Sequence, residues 1–275
     1  MIENFEFKET YSVNDLVEIV AILRSENGCP WDREQTHKSI RRDFLEETYE
    51  VIEAINKEDT ELLKEELGDV LLQVVFHTQI EREKGSFELS QVADGICKKM
   101  IERHPHVFGE VQADTTDKVL ENWDTIKKRT KHQKTQTESM LSVPREFPAL
   151  MRADKVQKKA SKVGFDWDSA DGAFDKISEE LAELKSAVQS GDKANIREEL
   201  GDLLFSVVNV SRFIGVDSEE ALTAATDKFI GRFSEVEKAA AESGIDMKTA
   251  ELAELDQLWD KAKAMNKASK KVGNL

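Results

Sequence analysis

The amino-acid sequence predicts an all-α protein built from two similar helical domains. Its 275 residues include only 13 glycines and 4 prolines, so few positions interrupt a helix. Apolar residues recur at three- and four-residue spacing in long segments, which is the period of an amphipathic helix. A series of short motifs then occurs twice in the same order, as expected for a duplicated domain.

The repeat is clearest in the pentapeptide EELGD, which occupies residues 65–69 and 198–202. One offset of 133 residues aligns four carboxylates of the two copies: Glu47 with Glu180, Glu50 with Glu183, Glu66 with Glu199, and Asp69 with Asp202. Other landmarks keep this order: CPWD at 29–32 and FDWD at 165–168, KMIER at 99–103 and KFIGR at 228–232, NWDTIK at 122–127 and LWDKAK at 258–263. Chance would not preserve the order of so many motifs.

The two copies suggest a domain over residues 1–130 and a second domain over residues 151–275. Residues 131–150 are polar at first and then include Pro144 and Pro148. This composition favours a linker or an extended entry into the second domain. Hydrophobic periodicity predicts helices near 40–56, 61–82, 89–103, 171–189, 193–213 and 218–242. Polar turns separate the paired helices, with Asp59 or Thr60 as the N-cap candidate in the first turn.

The charge balance restricts the classes of partner. With 55 acidic and 39 basic residues, the formal net charge is −16, which argues against binding to a nucleic acid polymer or an anionic membrane. Small phosphate compounds remain compatible, because a bound divalent cation reverses the local charge. The two cysteines, Cys29 and Cys97, form no CxxC motif, and the N-terminus lacks the pattern of a signal peptide. We therefore expect a cytoplasmic protein.

The paired helices carry acidic residues beside their apolar faces. On a helical wheel, Glu66, Asp69 and His77 form a narrow polar stripe, and Glu199, Asp202 and Asn209 form a similar one. Glu47 and Glu50 are three residues apart and so share a face of the preceding helix. A helical hairpin would bring both sets of carboxylates into one pocket. Such a cluster repels itself unless a cation occupies it.

The ligand types restrict the metal that such a pocket would bind. Carboxylate oxygens favour Mg²⁺, or Mn²⁺ as a substitute, over zinc. A single acidic pair on a helix is usually a solvated face, but here two pairs recur in two domains. The di-iron carboxylate bundles need Glu-x-x-His pairs, which neither EETYE nor EELGD supplies. The pattern therefore indicates a metal-dependent site for a phosphate ester or anhydride.

The arrangement EExxE, a short spacer and ExxD resembles the MazG family of nucleoside triphosphate pyrophosphohydrolases. The strings GCPWD, LEETYEVIEAI, EELGDVLLQVVFH, ERHPHVFG, KVGFDW, EELGDLLF and KFIGRF resemble its tandem-domain bacterial type. The resemblance implies the all-α NTP pyrophosphatase fold, with helical bundles assembled as a homodimer. It also implies Mg²⁺-dependent hydrolysis of NTP or dNTP to the monophosphate and pyrophosphate, for control of the nucleotide pool or clearance of non-standard nucleotides.

The resemblance also assigns roles to individual residues. The metal ligands would be Glu180, Glu183, Glu199 and Asp202 in the second domain, and Glu47, Glu50, Glu66 and Asp69 in the first. The nucleotide contacts would be Lys176, Glu179, Asn195, Arg197, Glu198, Lys228, Arg232 and Trp259. Our mechanistic hypothesis is that the carboxylates position and deprotonate a water for in-line attack at the α-phosphorus, with Glu179 orienting that water. Trp259 is equally compatible with a base contact and with core packing.

The two domains differ at the contact positions. Asp43 stands where the second domain has Lys176, and Lys64 stands where it has Arg197, whereas Lys99 and Arg103 match Lys228 and Arg232. We therefore expect the second domain to be the main catalyst. For the first domain three alternatives stay open: it is active, it binds nucleotide without turnover, or it mainly supports dimer packing. The alternatives are a narrow dUTP or dCTP pyrophosphatase, and a nucleotide-sensing or interaction module with slow turnover.

Three further residue types have structural interpretations. We expect His77 to be a hydrogen-bonded helix residue rather than a metal ligand. His104 and His106 flank Pro105 and indicate a structural turn. Cys29 precedes Pro30 and is expected to be packed rather than reactive.

Overall fold

The structure is a computed structural model that describes residues 5–109, 111, 115, 116, 118, 119, 122, 123, 126 and 134–272, with side chains described as far as residue 264. Every regular element within these residues is a helix, which confirms the predicted all-α class. The chain divides into two compact units, Met1–Thr130 and Lys131–Leu275. The junction at 127–133 lies outside the described residues. In the described part of the chain, every helix is too short or too polar to cross a membrane.

The first unit is organised around a helical hairpin. Its described helices are α1 (Val13–Leu23), α2 (Pro30–Glu34), α3 (Arg41–Asn56), α4 (Thr60–Glu83), α5 (Leu89–Arg103) and α6 (Pro105–Phe108). α3 packs along α4, and α1 covers another face of α4. The bounds of α3, α4 and α5 agree with the sequence prediction to within one or two residues.

A buried apolar cluster holds the first unit together. Val20 from α1 packs with Val75, Phe76 and Ile80 from α4, and Ile40 closes the cluster just before α3. These side chains are at most 7% exposed. Their removal from water is the main favourable contribution to folding of this unit. The cluster fixes the face of α4 that carries its acidic residues.

The second unit repeats the hairpin and also contains a second pair of packed helices. Its described helices are α7 (Gln136–Leu141), α8 (Ala149–Ser161), α9 (Ala170–Ser190), α10 (Lys193–Phe213), α11 (Ser218–Ser243) and α12 (Leu252–Val272). α9 packs along α10, α8 contacts α10, and α11 packs against α12. Val236, Ala240, Leu258 and Ala262 form the buried core of the α11–α12 pair.

Local hydrogen bonds and one glycine explain where the turns of the two acidic hairpins lie. Asp59 caps α4 by accepting from the backbone N–H groups of Glu61 and Leu62, both at 3.1 Å. Asp192 caps α10 in the same way. Gly191 ends α9 with φ of 76°, a left-handed conformation that favours glycine. These short turns return the chain along itself and align the two carboxylate-bearing helices.

The segment 131–150 is more structured than a simple linker. It contains α7 and the start of α8, and these two helices contact each other. Ser139 is buried, and its hydroxyl accepts a 2.7 Å hydrogen bond from Lys159 Nζ. The segment between the repeats is therefore helical at Gln136–Leu141, which the composition did not predict. The apolar residues of α7 and the capping hydroxyl of Thr135 explain the helix.

Candidate active site

Two helices of the second unit bring acidic side chains together. α9 supplies Glu180, α10 supplies Glu199 and Asp202, and one carboxylate oxygen of each lies within 4.8 Å of the others. Glu180 is only 4% exposed, while Glu199 is half-buried and Asp202 is exposed. Glu183 and Glu179 form an overlapping group with Glu180. The structure thus joins the four predicted ligands of this unit and Glu179 into one acidic patch.

The pKa of Glu199 reports the electrostatic cost of this patch. Burial raises the pKa of Glu199 above its usual value, and the charges of Glu183, Glu180 and Asp202 raise it further. A raised carboxyl pKa means that the ionised form is disfavoured at this position. A cation bound among these oxygens would relieve the repulsion.

Lys176 partly neutralises the patch from one turn earlier on α9. Its Nζ donates to Glu180 Oε1 at 2.6 Å and to Glu179 Oε1 at 2.8 Å. These hydrogen bonds, first to Glu179 and then to Glu180, raise the pKa of Lys176 above its usual value. Lys176 is half-buried and therefore holds a cationic group directly beside the buried carboxylate.

The first unit repeats the carboxylate cluster without the lysine. Oxygens of Glu47, Glu66 and Asp69 lie within 4.8 Å of one another. Burial and then the charge of Asp69 raise the pKa of Glu47, whereas burial and then Glu50 raise that of Glu66. Glu50 therefore acts on both, although it is exposed. Asp43 occupies the Lys176 position and adds negative charge to the same helix.

Both clusters fit a hard divalent cation. The atoms available as metal ligands are carboxylate oxygens alone, which suits Mg²⁺ or Mn²⁺ better than zinc. The raised pKa values of Glu199 and Glu66 show that each set is electrostatically unfavourable by itself. The fit therefore rests on ligand chemistry and on charge, in both units.

The predicted phosphate contacts lie on the α11–α12 pair. Lys228 is exposed and Arg232 is half-buried on α11. The guanidinium carbon of Arg232 lies 5.9 Å from the ring centroid of Trp259, and the ring of Phe229 lies 5.1 Å from the same indole. Trp259 thus packs beside the α11–α12 core. Among the described residues, no ion pair joins Lys228 or Arg232 to the acidic patch.

The same arginine–tryptophan contact occurs in the first unit. Arg103 places its guanidinium carbon 5.7 Å from the ring centroid of Trp123. The KMIER and NWDTIK motifs therefore reproduce the contact made by KFIGR and LWDKAK. The remaining predicted nucleotide contacts, Asn195, Arg197 and Glu198, lie on the first two turns of α10 just before Glu199, with Arg197 and Glu198 exposed.

A cavity that was not predicted from the sequence lies beside the acidic patch of the second unit. Its volume is about 640 Å³, and its lining includes Lys176, Gln157, Phe165, Asp166, Trp167, Phe205, Asn209 and Arg212. Arg212 donates to Asp166 Oδ2 at 2.7 Å and to Asn209 Oδ1 at 2.7 Å. The spacing of Asn209 and Arg212 on one helical face was the available signal. The contributions of Gln157 and Asp166 depend on tertiary packing.

Three histidines of the first unit, His37, His77 and His104, have structural partners. His77 Nδ1 shares a 2.7 Å hydrogen bond with His37 Nδ1, and His37 Nε2 lies 2.6 Å from Glu81 Oε1. Burial, followed by the nearby His37, lowers the pKa of His77. His104 Nδ1 bonds to the carbonyl oxygen of Met100 at 2.6 Å at the end of α5. These contacts agree with the structural interpretations, although the sequence analysis did not single out His37.

Comparison with known proteins identifies the family. The MazG nucleotide pyrophosphohydrolase domain matches this chain twice, over residues 35–108 and 171–236. The chain belongs to the MazG nucleotide pyrophosphohydrolase family. The tandem MazG prediction and the prediction of an enzyme of this family are therefore confirmed. Both carboxylate clusters, together with Lys176, Lys228 and Arg232, lie inside the two MazG matches, whereas Gln157 and Trp259 lie outside them.

Full-length relatives support the same MazG assignment. The chain is 46% identical over 249 residues to the nucleoside triphosphate pyrophosphohydrolase/pyrophosphatase MazG of Thermotoga maritima, covering 90% of this chain and 94% of the relative. It is 42% identical over 254 residues to the nucleoside triphosphate pyrophosphohydrolase of Escherichia coli K12, covering 91% and 97% respectively. It is also 47% identical to the uncharacterized protein YabN of Bacillus subtilis, over 91% of this chain and 51% of that protein.

Proposed function

We propose that this chain hydrolyses nucleoside triphosphates to nucleoside monophosphate and pyrophosphate, with the second unit as the main site. The observation that carries the proposal is the convergence of Glu180, Glu199 and Asp202 within 4.8 Å in a chain of the MazG family. The names of the Thermotoga maritima and Escherichia coli relatives support the substrate class. Control of the nucleotide pool, or clearance of non-standard nucleotides, is the cellular role we propose.

Mg²⁺ is the metal we propose, with Mn²⁺ as a substitute. Glu180, Glu183, Glu199 and Asp202 would hold it in the second unit. Glu47, Glu50, Glu66 and Asp69 would hold it in the first unit. When bound, such a cation supplies charge neutralisation for the triphosphate and for the groups formed from it. The raised pKa of Glu199 supports this assignment, because the ionised cluster lacks sufficient positive charge of its own.

The chemical step that we propose is attack of water on the α-phosphorus. The water oxygen forms a bond to that phosphorus, and the bond from the α-phosphorus to the bridging oxygen breaks, so pyrophosphate departs with the electron pair. Glu179 is exposed beside buried Glu180 and is suited to orient the water. A carboxylate of the patch accepts the proton. Lys176, Lys228 and Arg232 are the cationic side chains we assign to the phosphates.

Product analysis tests the position of attack. Incubation with ATP, dCTP and dUTP should give the corresponding monophosphate and pyrophosphate with Mg²⁺, and neither product with a chelator. Ion-exchange chromatography of the nucleotides and a separate assay for pyrophosphate distinguish the products. Diphosphate plus inorganic phosphate would mean attack at the γ-phosphorus and would refute the proposal. Binding without turnover would favour a nucleotide-sensing module instead.

We also propose that the chain assembles as a homodimer through its hairpins. In the second unit, Leu181, Val188, Leu200, Leu204 and Val207 are between 41% and 58% exposed, and they lie at helical spacing on α9 and α10. Contiguous apolar surface of this kind is typical of an interface. The first unit repeats it on α3 and α4 with Leu45, Ile52, Ile55 and Leu67.

A further inference from the structure

We propose that the cavity of the second unit receives the nucleobase of the substrate, and that Asn209 and Gln157 read the edge of that base. The inference rests on the proposed function for the position of the phosphates. It adds the residues that determine base preference. Both side chains line the cavity, and both are more than nine-tenths buried, at 7% and 6% exposure.

The cavity opens beside the acidic patch. Lys176 lines the cavity and also donates to Glu180 at 2.6 Å, so the two sites share a wall. Asp202 and Asn209 are seven residues apart on α10, which is two turns on one face and about 10.5 Å along the axis. A ligand whose phosphates lie at the carboxylates therefore extends along α10 toward Asn209. A nucleotide has this elongated form, with its base farthest from the phosphates.

The walls of the cavity suit a flat aromatic ligand. Phe165, Trp167 and Phe205 line it, and their exposed fractions of 82%, 43% and 44% leave aromatic surface available. The indole of Trp167 lies over Gly172, where an added Cβ would come within 2.4 Å of the Trp167 Cδ1 atom. Gly172 thus permits the position of this ring. Aromatic side chains stack on any nucleobase and so provide affinity without selecting among bases.

The amide of Asn209 has a fixed orientation. Arg212 donates to its Oδ1 from Nε at 3.0 Å and from Nη2 at 2.7 Å. Because an arginine side chain has only donors, the Asn209 atom that faces it must be oxygen. Asp166 holds the same guanidinium from its other side. The Asn209 Nδ2 group is therefore left as a donor for a base acceptor.

The amide of Gln157 also has a fixed orientation, but here the oxygen and not the nitrogen is left without a partner in the described part of the chain. Its Nε2 donates at 2.8 Å to the backbone carbonyl of Phe205, which can only accept. Its Oε1 atom is buried, and it has no hydrogen-bond partner among the described residues. A buried acceptor without a partner is costly. A base N–H group would satisfy it, so the cavity presents one fixed donor and one fixed acceptor.

The first unit differs at this point. The offset of 133 residues pairs Asn209 with Phe76, which is 7% exposed and packed in the apolar core. The guanidinium carbon of Arg24 lies 5.2 Å from the Phe76 ring centroid. A phenylalanine at this position offers no hydrogen bond to a base. The inference therefore assigns base selection to the second unit.

The test compares four full-length variants with the wild type. Asn209→Asp replaces the donor with an acceptor, and Arg212 can still pair with the new carboxylate. Gln157→Met removes the acceptor with little change of volume. Gly172→Ala displaces Trp167, and Gln189→Glu at an exposed position of α9 is the control. Calorimetry with AMP, GMP, CMP and UMP in Mg²⁺ measures binding without turnover, and kcat/KM for the four triphosphates measures selectivity. Thermal melts verify that each variant folds.

The expected result is a change in the ranking of the bases. Asn209→Asp and Gln157→Met should each alter the affinity ratio between the best and worst base by about 10-fold or more, as for loss of a buried hydrogen bond. Gly172→Ala should weaken all four bases together, and Gln189→Glu should change nothing. An unchanged ranking in both folded amide variants would overturn the inference. If an amide variant unfolds, unaltered affinity in Gly172→Ala overturns it. Base-selective binding without pyrophosphate release would refute the proposed function alone.

Discussion

Glu180 and Lys176 define the electrostatics of the second site at the level of single residues. Glu180 is almost fully buried, and Lys176 donates to it at 2.6 Å. A buried carboxylate needs either a paired cation or a bound metal, because isolated charge is disfavoured there. Lys176 provides the first. We propose that a metal ion competes with Lys176 for the same oxygens, and that the lysine becomes available to the phosphates when the metal takes the carboxylates.

Substitution of Lys176 tests this competition. Lys176→Met should raise the affinity of the second site for Mg²⁺ several-fold, because the competing ammonium group is gone. It should also lower kcat/KM by about 10-fold, because a phosphate contact is lost. The two effects are measured by titration calorimetry with Mg²⁺ and by steady-state kinetics. Lys185→Met, on the same helix, is the control. Weaker binding of Mg²⁺ in Lys176→Met would contradict the competition.

Some residues of the candidate site could be predicted from the sequence, and others could not. Glu180, Glu199 and Asp202 could be grouped from the sequence, because helical spacing places each pair on a face and a short turn joins the helices. The pairing of Lys176 with Glu180 could have been read from the same four-residue spacing. Gln157 and Asp166 could not be found this way. They reach the cavity from α8 and from the loop before α9, and only the packing of those segments on α10 determines their position.

At the scale of elements, Arg24 connects three segments of the first unit. Its guanidinium donates to both carboxylate oxygens of Glu83 on α4, each at 2.8 Å. It also donates to the backbone carbonyls of Asp32 and Gln35 at the end of α2. The Arg24 side chain is only 5% exposed, so these hydrogen bonds form largely away from water. Arg24 thereby anchors α1 and α2 against α4.

Loss of Arg24 should weaken the first unit. Arg24→Met should lower the free energy of unfolding of this unit by about 2–3 kcal/mol, because two partly buried carbonyl oxygens and the Glu83 carboxylate lose their donor. Arg42→Met is the matched control, since Arg42 pairs with Glu46 while 85% exposed. The control should change stability by less than about 1 kcal/mol. Scanning calorimetry measures both, and equal effects of the two variants would contradict the anchoring role.

Glu81 links the end of α4 to the segment before α3. Lys84, then His37 and Ser86, lower the pKa of Glu81 from 4.5 to about 2. A lowered carboxyl pKa stabilises the folded state above the unfolded pKa, and this stabilisation is lost as pH falls through the folded pKa. Glu81→Gln should therefore lower the melting temperature at pH 7, and the difference should disappear as pH falls from 4.5 toward 2. A pH-independent difference would contradict the linkage.

Element bounds were predictable where local signals are strong. Asp59, Asp192 and Gly191 mark helix ends through their own side-chain or backbone chemistry, and the predicted α3, α4, α9 and α10 follow them closely. α7 was not predicted, because six residues show little periodicity. Its stability comes from its contact with α8, where Ser139 and Lys159 meet. Tertiary contact therefore adds to the local capping by Thr135 in determining that helix.

At the scale of the whole molecule, the exposed hairpin surfaces predict self-association. Sedimentation velocity should give a mass near twice the 31.1 kDa of one chain. Val188→Asp should shift the protein toward the monomer, because Val188 is 58% exposed on α9 and its carboxylate would be buried at the interface. Lys193→Asp, at an exposed position that follows the turn, is the control. A wild-type monomer at micromolar concentration would contradict the homodimer.

Duplication has produced two carboxylate clusters in different surroundings. The second unit has Lys176 beside its cluster and Asn209 in its cavity, whereas the first has Asp43 and Phe76 at the matching positions. We therefore propose that the first unit keeps a carboxylate set that could bind a metal but lacks the same means of holding a nucleotide. On this proposal, most of the turnover belongs to the second unit.

The most direct test of this assignment compares two isosteric substitutions. Turnover of ATP, dCTP and dUTP is measured with Mg²⁺ for the wild type, Glu199→Gln and Glu66→Gln, after thermal melts establish that all three fold. Glu199→Gln should lower kcat by at least about 100-fold, because it removes one charge from the cluster at the reacting phosphate. Glu66→Gln should retain most activity. Loss of turnover in Glu66→Gln, with activity preserved in Glu199→Gln, would contradict the assignment of catalysis to the second unit.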